Sequence, residues 1–115
     1  MLIRVDPGSP TPLFEQVAAA VRADVLRSRV SAGERLPSAR ELAASLDLNV
    51  HTVLRAYQLL RDEGLIDLRR GRGAVVTDRA REYANLAELL PALVAEARRL
   101  DLSPAALAAL ITEAY

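Results

Sequence analysis

The sequence predicts a mainly α-helical fold with one small β-hairpin, and three observations carry that prediction. Apolar residues recur at helical spacing in three segments between residues 12 and 63, and each segment opens on a residue that favours a helix start. A short stretch, "LIDLRRGRGAVVT", sets two glycines between apolar runs too short for another such helix. Beyond it, Tyr83, Leu86, Leu90, Leu93, Ala97 and Leu100 alternate steps of three and four, the seam spacing of helices that pack against another helix.

The elements follow in order. "VDPGSPTP" has three prolines and no periodicity and reads as an extended lead-in. Thr11 and Pro12 then start a first helix over about 12–29, the hydroxyl accepting an orphan N–H and the proline losing no donor. Phe14, Val17, Val21 and Val25 form its apolar face, and "VSAGERLP" follows as a loop. Ser38 lies three residues before Glu41, the spacing of a reciprocal capping box, and opens a second helix over about 38–46. Asn49 caps a third helix over about 50–63, with Gly64 as its C′ residue. A hairpin occupies about 65–77, its strands Leu65 to Arg70 and Gly73 to Thr77. Asp78 can cap the helix that carries the seam, and Pro91 inside that seam predicts a kink or a break. Ser103 and Pro104 start a last short helix with Leu107, Leu110 and Ile111 on its apolar side.

Composition removes several function classes. With 115 residues the chain fits one compact domain and an appendage. It has no cysteine and one histidine, so no disulfide, zinc or other metal centre is expected, and no cofactor. No phosphate-cradling glycine loop is present and the parts of a Ser-His mechanism are missing, so the chain reads as not an enzyme. No apolar run approaches the roughly 20 residues that span a bilayer, and the N-terminal stretch lacks the pattern of a signal peptide. A cytoplasmic location with no membrane partner is expected. The net charge is zero, but residues 35–77 carry seven arginines against five acids while residues 78–115 carry four against six.

Two short helices joined by a tight turn form a helix-turn-helix, and the hairpin directly after it reads as a wing. On a helical wheel Val53, Ala56, Tyr57 and Leu60 share the core side, leaving His51, Leu54, Arg55, Gln58 and Asp62 outside. In such motifs the start of the second helix reaches base edges in the major groove. Asn49, His51, Thr52 and Arg55 stand there, with Gln58 one turn beyond Arg55. For His51, DNA contact is preferred to a pH switch. Arg69, Arg70 and Arg72 around Gly71 charge the tip of the wing, which suits phosphates or a narrow minor groove.

The stretch "LPSARELAASLDLNVHTVLRAYQLLRDEGLIDLRRGRGAVV" closely resembles the winged helix-turn-helix core of GntR-type bacterial transcription regulators, and the likeness spans about residues 5–77. "N-x-x-T-V-x-R-A-Y" is similar to the YtrA-like subfamily. The resemblance implies DNA contacts at Arg40, Asn49, His51, Thr52 and the wing glycine Gly71 with its neighbouring arginines, Arg70 and Arg72. It also implies that residues 78–115 form a helical dimerisation tail after a DNA-binding domain at 1–77. Two departures stand out. Val50 occupies a position where many relatives have proline or arginine, so operator preference is not inherited. Asp47 replaces the usual turn glycine in a conformation that aspartate tolerates less easily.

One winged helix reads only a few base pairs, and two-fold symmetry extends the site. The seam residues Tyr83, Leu86, Leu90, Leu93, Ala97 and Leu100 are therefore the expected homodimer interface. The expected function is a homodimeric regulator of a palindromic site in double-stranded DNA, with repression implied by the resemblance. The rival is a helical interaction module that binds protein without reading DNA. A small-molecule effector is an open partner, since no pocket signature identifies one.

Overall fold

The computed structural model describes residues 3–70 and 73–115. These form five α-helices, α1 (Leu13–Leu26), α2 (Ala39–Leu46), α3 (Val50–Asp62), α4 (Ala84–Arg99) and α5 (Pro104–Ala114). Two antiparallel strands, β1 (Ile66–Arg69) and β2 (Gly73–Val76), lie between α3 and a 3-10 helix over Asp78–Tyr83. The chain divides into two compact units, the first ending at Tyr83 and the second spanning Ala84–Tyr115. The fold is a winged helix-turn-helix followed by C-terminal helices, mainly α with one small hairpin.

The core of the first unit is built on α3, which packs against α1, α2 and β1. Val53, Ala56, Tyr57 and Leu60 are all buried, as the wheel predicts. They meet Val17, Val21 and Val25 of α1, Leu42 of α2, and Leu65, Ile66 and Val76 from the hairpin in one cluster. Fully burying an aliphatic or aromatic side chain of this size stabilises by about 1.5–3 kcal/mol, so this cluster holds the orientation of α3. The Tyr57 hydroxyl lies inside the cluster's edge and donates to the Pro37 carbonyl at 2.7 Å, tying α3 to the residue just before the α2 cap. Arg22 of α1 forks onto Glu63 after α3, with Nη2 2.7 Å from Oε1 and Nε 3.3 Å from Oε2.

The helix ends show where local signals succeed. Ser38 Oγ accepts from the Glu41 N–H at 3.1 Å and Asn49 Oδ1 from the His51 N–H at 2.8 Å. Ser103 Oγ caps α5 through the Ala106 N–H at 3.1 Å. Among the described residues the return half of the Ser38 capping box, from Ser38 N–H to the Glu41 side chain, does not form. Gly64 (φ 79°) closes α3, its N–H on Arg61 O at 2.8 Å and the Leu65 N–H on Leu60 O at 3.0 Å. Asp47 takes the left-handed conformation (φ 55°, ψ 46°), the geometry its position between α2 and α3 requires.

Four sequence expectations are corrected. Pro12, not Thr11, is the residue before α1, and no side chain caps that helix. Gln16 takes over instead, its amide oxygen accepting from Asp6 N–H at 2.7 Å and its amide nitrogen donating to Asp6 O and Thr11 O, which pins the lead-in. The first helix ends at Leu26 rather than 29, because Ser28 turns left-handed (φ 57°) and sends the Arg29 N–H back to Asp24 O at 2.9 Å. The loop before α2 is partly strand-like. Arg35 bridges to Val75, and Leu36 N–H donates to Ala74 O at 2.9 Å, so the loop forms a third edge beside β2. Residues 78–83 wind as a 3-10 turn, not the start of the seam helix, because Ala80 and Tyr83 pack on the first unit's core. Tyr83, half-buried, packs on that core. Thr77 anchors the turn, its hydroxyl donating to Gly64 O at 2.6 Å. Pro91 sits inside α4 without breaking it.

Burial and the nearby Glu41 carboxylate, in that order, push the Tyr57 phenol up to about 12 from 10.0. The folded protein holds that proton more tightly than the unfolded chain, so the stabilisation is complete below pH 10.0 and disappears as pH rises through about 12. The slope from this group reaches at most about 1.4 kcal/mol per pH unit. Urea titrations between these limits should show that loss, and Tyr57→Phe should flatten it while costing about 1 kcal/mol at neutral pH. Asp47→Gly relieves a left-handed residue and should raise the urea midpoint by about 0.5–1 kcal/mol equivalent, whereas Asp47→Val should lower it.

Candidate nucleic-acid interface

The site is assembled from the N-terminal ends of α2 and α3 and from the wing. Because α3 buries one stripe, His51, Arg55 and Gln58 are left on the opposite, exposed face at helical spacing. Thr52 flanks that stripe and is half-buried. Asn49 is exposed at the α3 cap, where its side-chain oxygen is already engaged by the His51 N–H, so its amide group remains as the donor to a ligand. Arg40 is exposed at the second residue of α2. Arg70 is exposed just past β1, and the sequence-predicted Gly71 and Arg72 lie outside the described residues.

These pieces are neighbours. A shallow groove bounded by Ser38 and Ala39 of α2, Leu54 of α3, Leu68 of β1, Arg70 and Gly73 links the start of α2, the outer side of α3 and the wing. Leu54, which the wheel leaves facing solvent, is half-buried in that groove, since the wheel contains no information about where the hairpin returns. On the other side of α3, Leu13 and Phe14 of α1 line a second depression with Asn49, His51, Thr52 and Arg55. There the Arg55 guanidinium lies 3.9 Å from the centroid of the Phe14 ring.

Charge is distributed in a way the zero total hides. Many of the arginines have a carboxylate partner: Arg22 with Glu63, Arg29 with Asp24, Arg61 with Asp62, Arg79 with Glu82, Arg81 with Asp78 and Arg99 with Glu96. Among the described residues, Arg35, Arg40, Arg55 and Arg70 have no carboxylate within 4.0 Å. In the wing, Arg69 is paired with Asp67 at 3.3 Å. Arg4, Arg27 and Arg98 are also without a carboxylate partner but belong to other parts of the chain. Unpaired cations around a helix with free donors make a surface for a polyanion. Arg35 was not legible as part of this surface in the sequence. Its pairing with Val75 brings it beside Gly73, and the signal would have been the short extended run before Leu36.

Among the described residues no group of three or more His, Asp or Glu side chains could hold a metal ion, and no helix is long and apolar enough to cross a membrane.

The family of bacterial regulatory proteins designated gntR matches residues 13–76. The chain belongs to the GntR family. Its relatives are regulators of transcription, not enzymes. It is 39% identical over 80 residues to the HTH-type transcriptional repressor YtrA of Bacillus subtilis, a match covering 70% of this chain and 62% of that protein's length. Similarity to the HTH-type transcriptional regulator Rv1152 of Mycobacterium tuberculosis is 31% over 107 residues, covering 84% of this chain and 88% of the relative. Among solved structures, YtrA from Sulfolobus acidocaldarius, a GntR-family transcription factor, superposes with a TM-score of 0.65 at 33% identity, covering 82% of this chain and 99% of that one. The GntR-type winged helix and the resemblance to YtrA are thus shared by sequence and by fold.

Proposed function

We propose that this GntR-family chain acts in the cytoplasm as a homodimeric repressor that binds a palindromic operator in double-stranded DNA. The observation that carries the reading is the exposed α3 stripe, His51, Arg55 and Gln58, set beside Arg40, Asn49 and, on the wing, Arg70, which among the described residues has no carboxylate within 4.0 Å. A helix of 13 residues fits a major groove, where Asn49, His51 and Gln58 present donors and acceptors to base edges. Arg40 and the wing-tip residues Arg70, Gly71 and Arg72 meet the backbone and the neighbouring minor groove. Repression follows the Bacillus subtilis relative named above, since a protein seated on a promoter excludes polymerase without needing a further surface.

The second copy is argued from the tail. Helix α4 buries only Ala97. Leu86 is 47% exposed and Leu93 41%, Leu100 is likewise exposed, and Leu90 is half-buried. Helices of 16 and 11 residues gain most of their stability from packing an apolar face, so a tail this bare is completed by a partner. A second copy supplies the same face and the two-fold axis that a palindrome demands.

Selection from randomised duplexes with the purified protein should enrich an inverted repeat with half-sites about one helical turn apart. Anisotropy with that duplex should show log affinity falling linearly with log salt. Arg40→Ala should weaken binding by at least about fivefold. An unenriched pool and salt-insensitive affinity would instead support a protein-binding module. The paired change Leu86→Asp and Leu93→Asp should convert the protein to monomers in sedimentation and weaken operator binding, while leaving the melting of the winged helix unchanged. Unaltered sedimentation would remove α4 as the interface.

A further inference from the structure

We infer that Phe14 is a positioning residue for DNA binding, holding Arg55 as a preset backbone contact at the α1 edge of the reading helix. The inference rests on the DNA-binding reading above. Arg55 stands about 40° from His51 and about 60° from Gln58 around α3, displaced toward the side where Thr52 and Leu59 are half-buried. The side chain continues in that direction, its guanidinium over the Phe14 ring at 3.9 Å from the centroid. It is thereby drawn away from the middle of the stripe, where a base edge would be met, to its flank, where the sugar-phosphate backbone borders the groove.

The geometry has chemical consequences for Arg55. The guanidinium carbon lies over the ring, and no carboxylate within 4.0 Å competes for the donors around it. The ring quadrupole attracts the cation without neutralising it. An arginine held this way loses less side-chain freedom on meeting a phosphate than one that must be ordered from solution. Phe14 itself is half-buried and packs against the first unit's core, so the platform is fixed by the same core that orients α3. Phe14 touches no DNA in this account; it acts through Arg55.

A double-mutant cycle tests the inference, using the duplex that the wild-type protein selects and a scrambled duplex of the same composition. Arg55→Ala should weaken binding to both by the same factor and make the salt slope shallower by about 0.9, the signature of one phosphate contact. Phe14→Leu should weaken binding about two- to fivefold in the wild-type background and not at all in the Arg55→Ala background, with Phe14→Tyr restoring affinity. Phe14→Met takes the place of the leucine variant should that fail to fold by thermal melting. Equal losses from Phe14→Leu in both backgrounds would show that the ring acts through packing alone. A changed preference between the two duplexes in Arg55→Ala would show that Arg55 reads a base, and either result overturns the inference while leaving the DNA-binding reading intact. Failure of the wild-type protein to select any duplex overturns both.

Discussion

Burial of one stripe of α3 is the constraint on which the rest of the first unit depends. Val53, Ala56, Tyr57 and Leu60 are the meeting point of α1, α2 and the hairpin, so the helix cannot rotate without opening all three contacts. What faces outward is then determined by what faces inward. Tyr57 extends this control beyond apolar packing: its hydroxyl, almost wholly removed from water, has the Pro37 carbonyl as its partner, which locks the entrance of α2 to the middle of α3. The Arg22–Glu63 fork does the same at the far end of the helix, although half-exposed ion pairs of this kind contribute modestly. The reading face is rigid because its opposite face is.

Legibility in the sequence follows the range of the interactions involved. The caps at Ser38, Asn49 and Ser103, the glycine that ends α3, and the buried stripe of α3 are all decided within a few residues, and sequence reasoning located each one. The exposed positions of His51, Arg55 and Gln58 follow from the same stripe. Features that depend on distant partners were hidden. Arg35 joins β2 across some 40 residues of chain, Ala80 and Tyr83 are recruited by the core of the first unit, and Arg55 is claimed by Phe14 of a helix that no wheel of α3 contains. Left-handed Ser28 belongs to a third class, since nothing in its residue type announces that conformation.

Electrostatics explains how a chain without net charge is suited to a polyanion. Five acids away from the reading face, and Asp62 at the end of α3, pair with nearby arginines at 2.5 to 3.8 Å, four of the six within three residues in sequence. Among the described residues, that pairing leaves Arg35, Arg40, Arg55 and Arg70 of the first unit with no carboxylate within 4.0 Å. Over distances within a Debye length of roughly 8 Å the local excess governs what a phosphate meets, and the neutral total matters only farther away. Such a protein should be less prone to indiscriminate binding than a strongly basic one, because its attraction is confined to the surface proposed to carry the base-reading groups.

The two units divide the physical work unequally. The first has a core of its own, a capped reading helix and a wing, and needs no partner to hold its shape. The second presents leucines at 86, 89, 93 and 100 to solvent and buries one alanine, so its order in the proposed dimer depends on the other copy. Coupling of that kind makes DNA affinity sensitive to protein concentration, since each reading helix alone meets too few base pairs for selective binding. In the proposed dimer, control would act most economically there: a change of a few kcal/mol in how α4 meets the second copy would alter operator occupancy without disturbing the residues proposed to touch DNA.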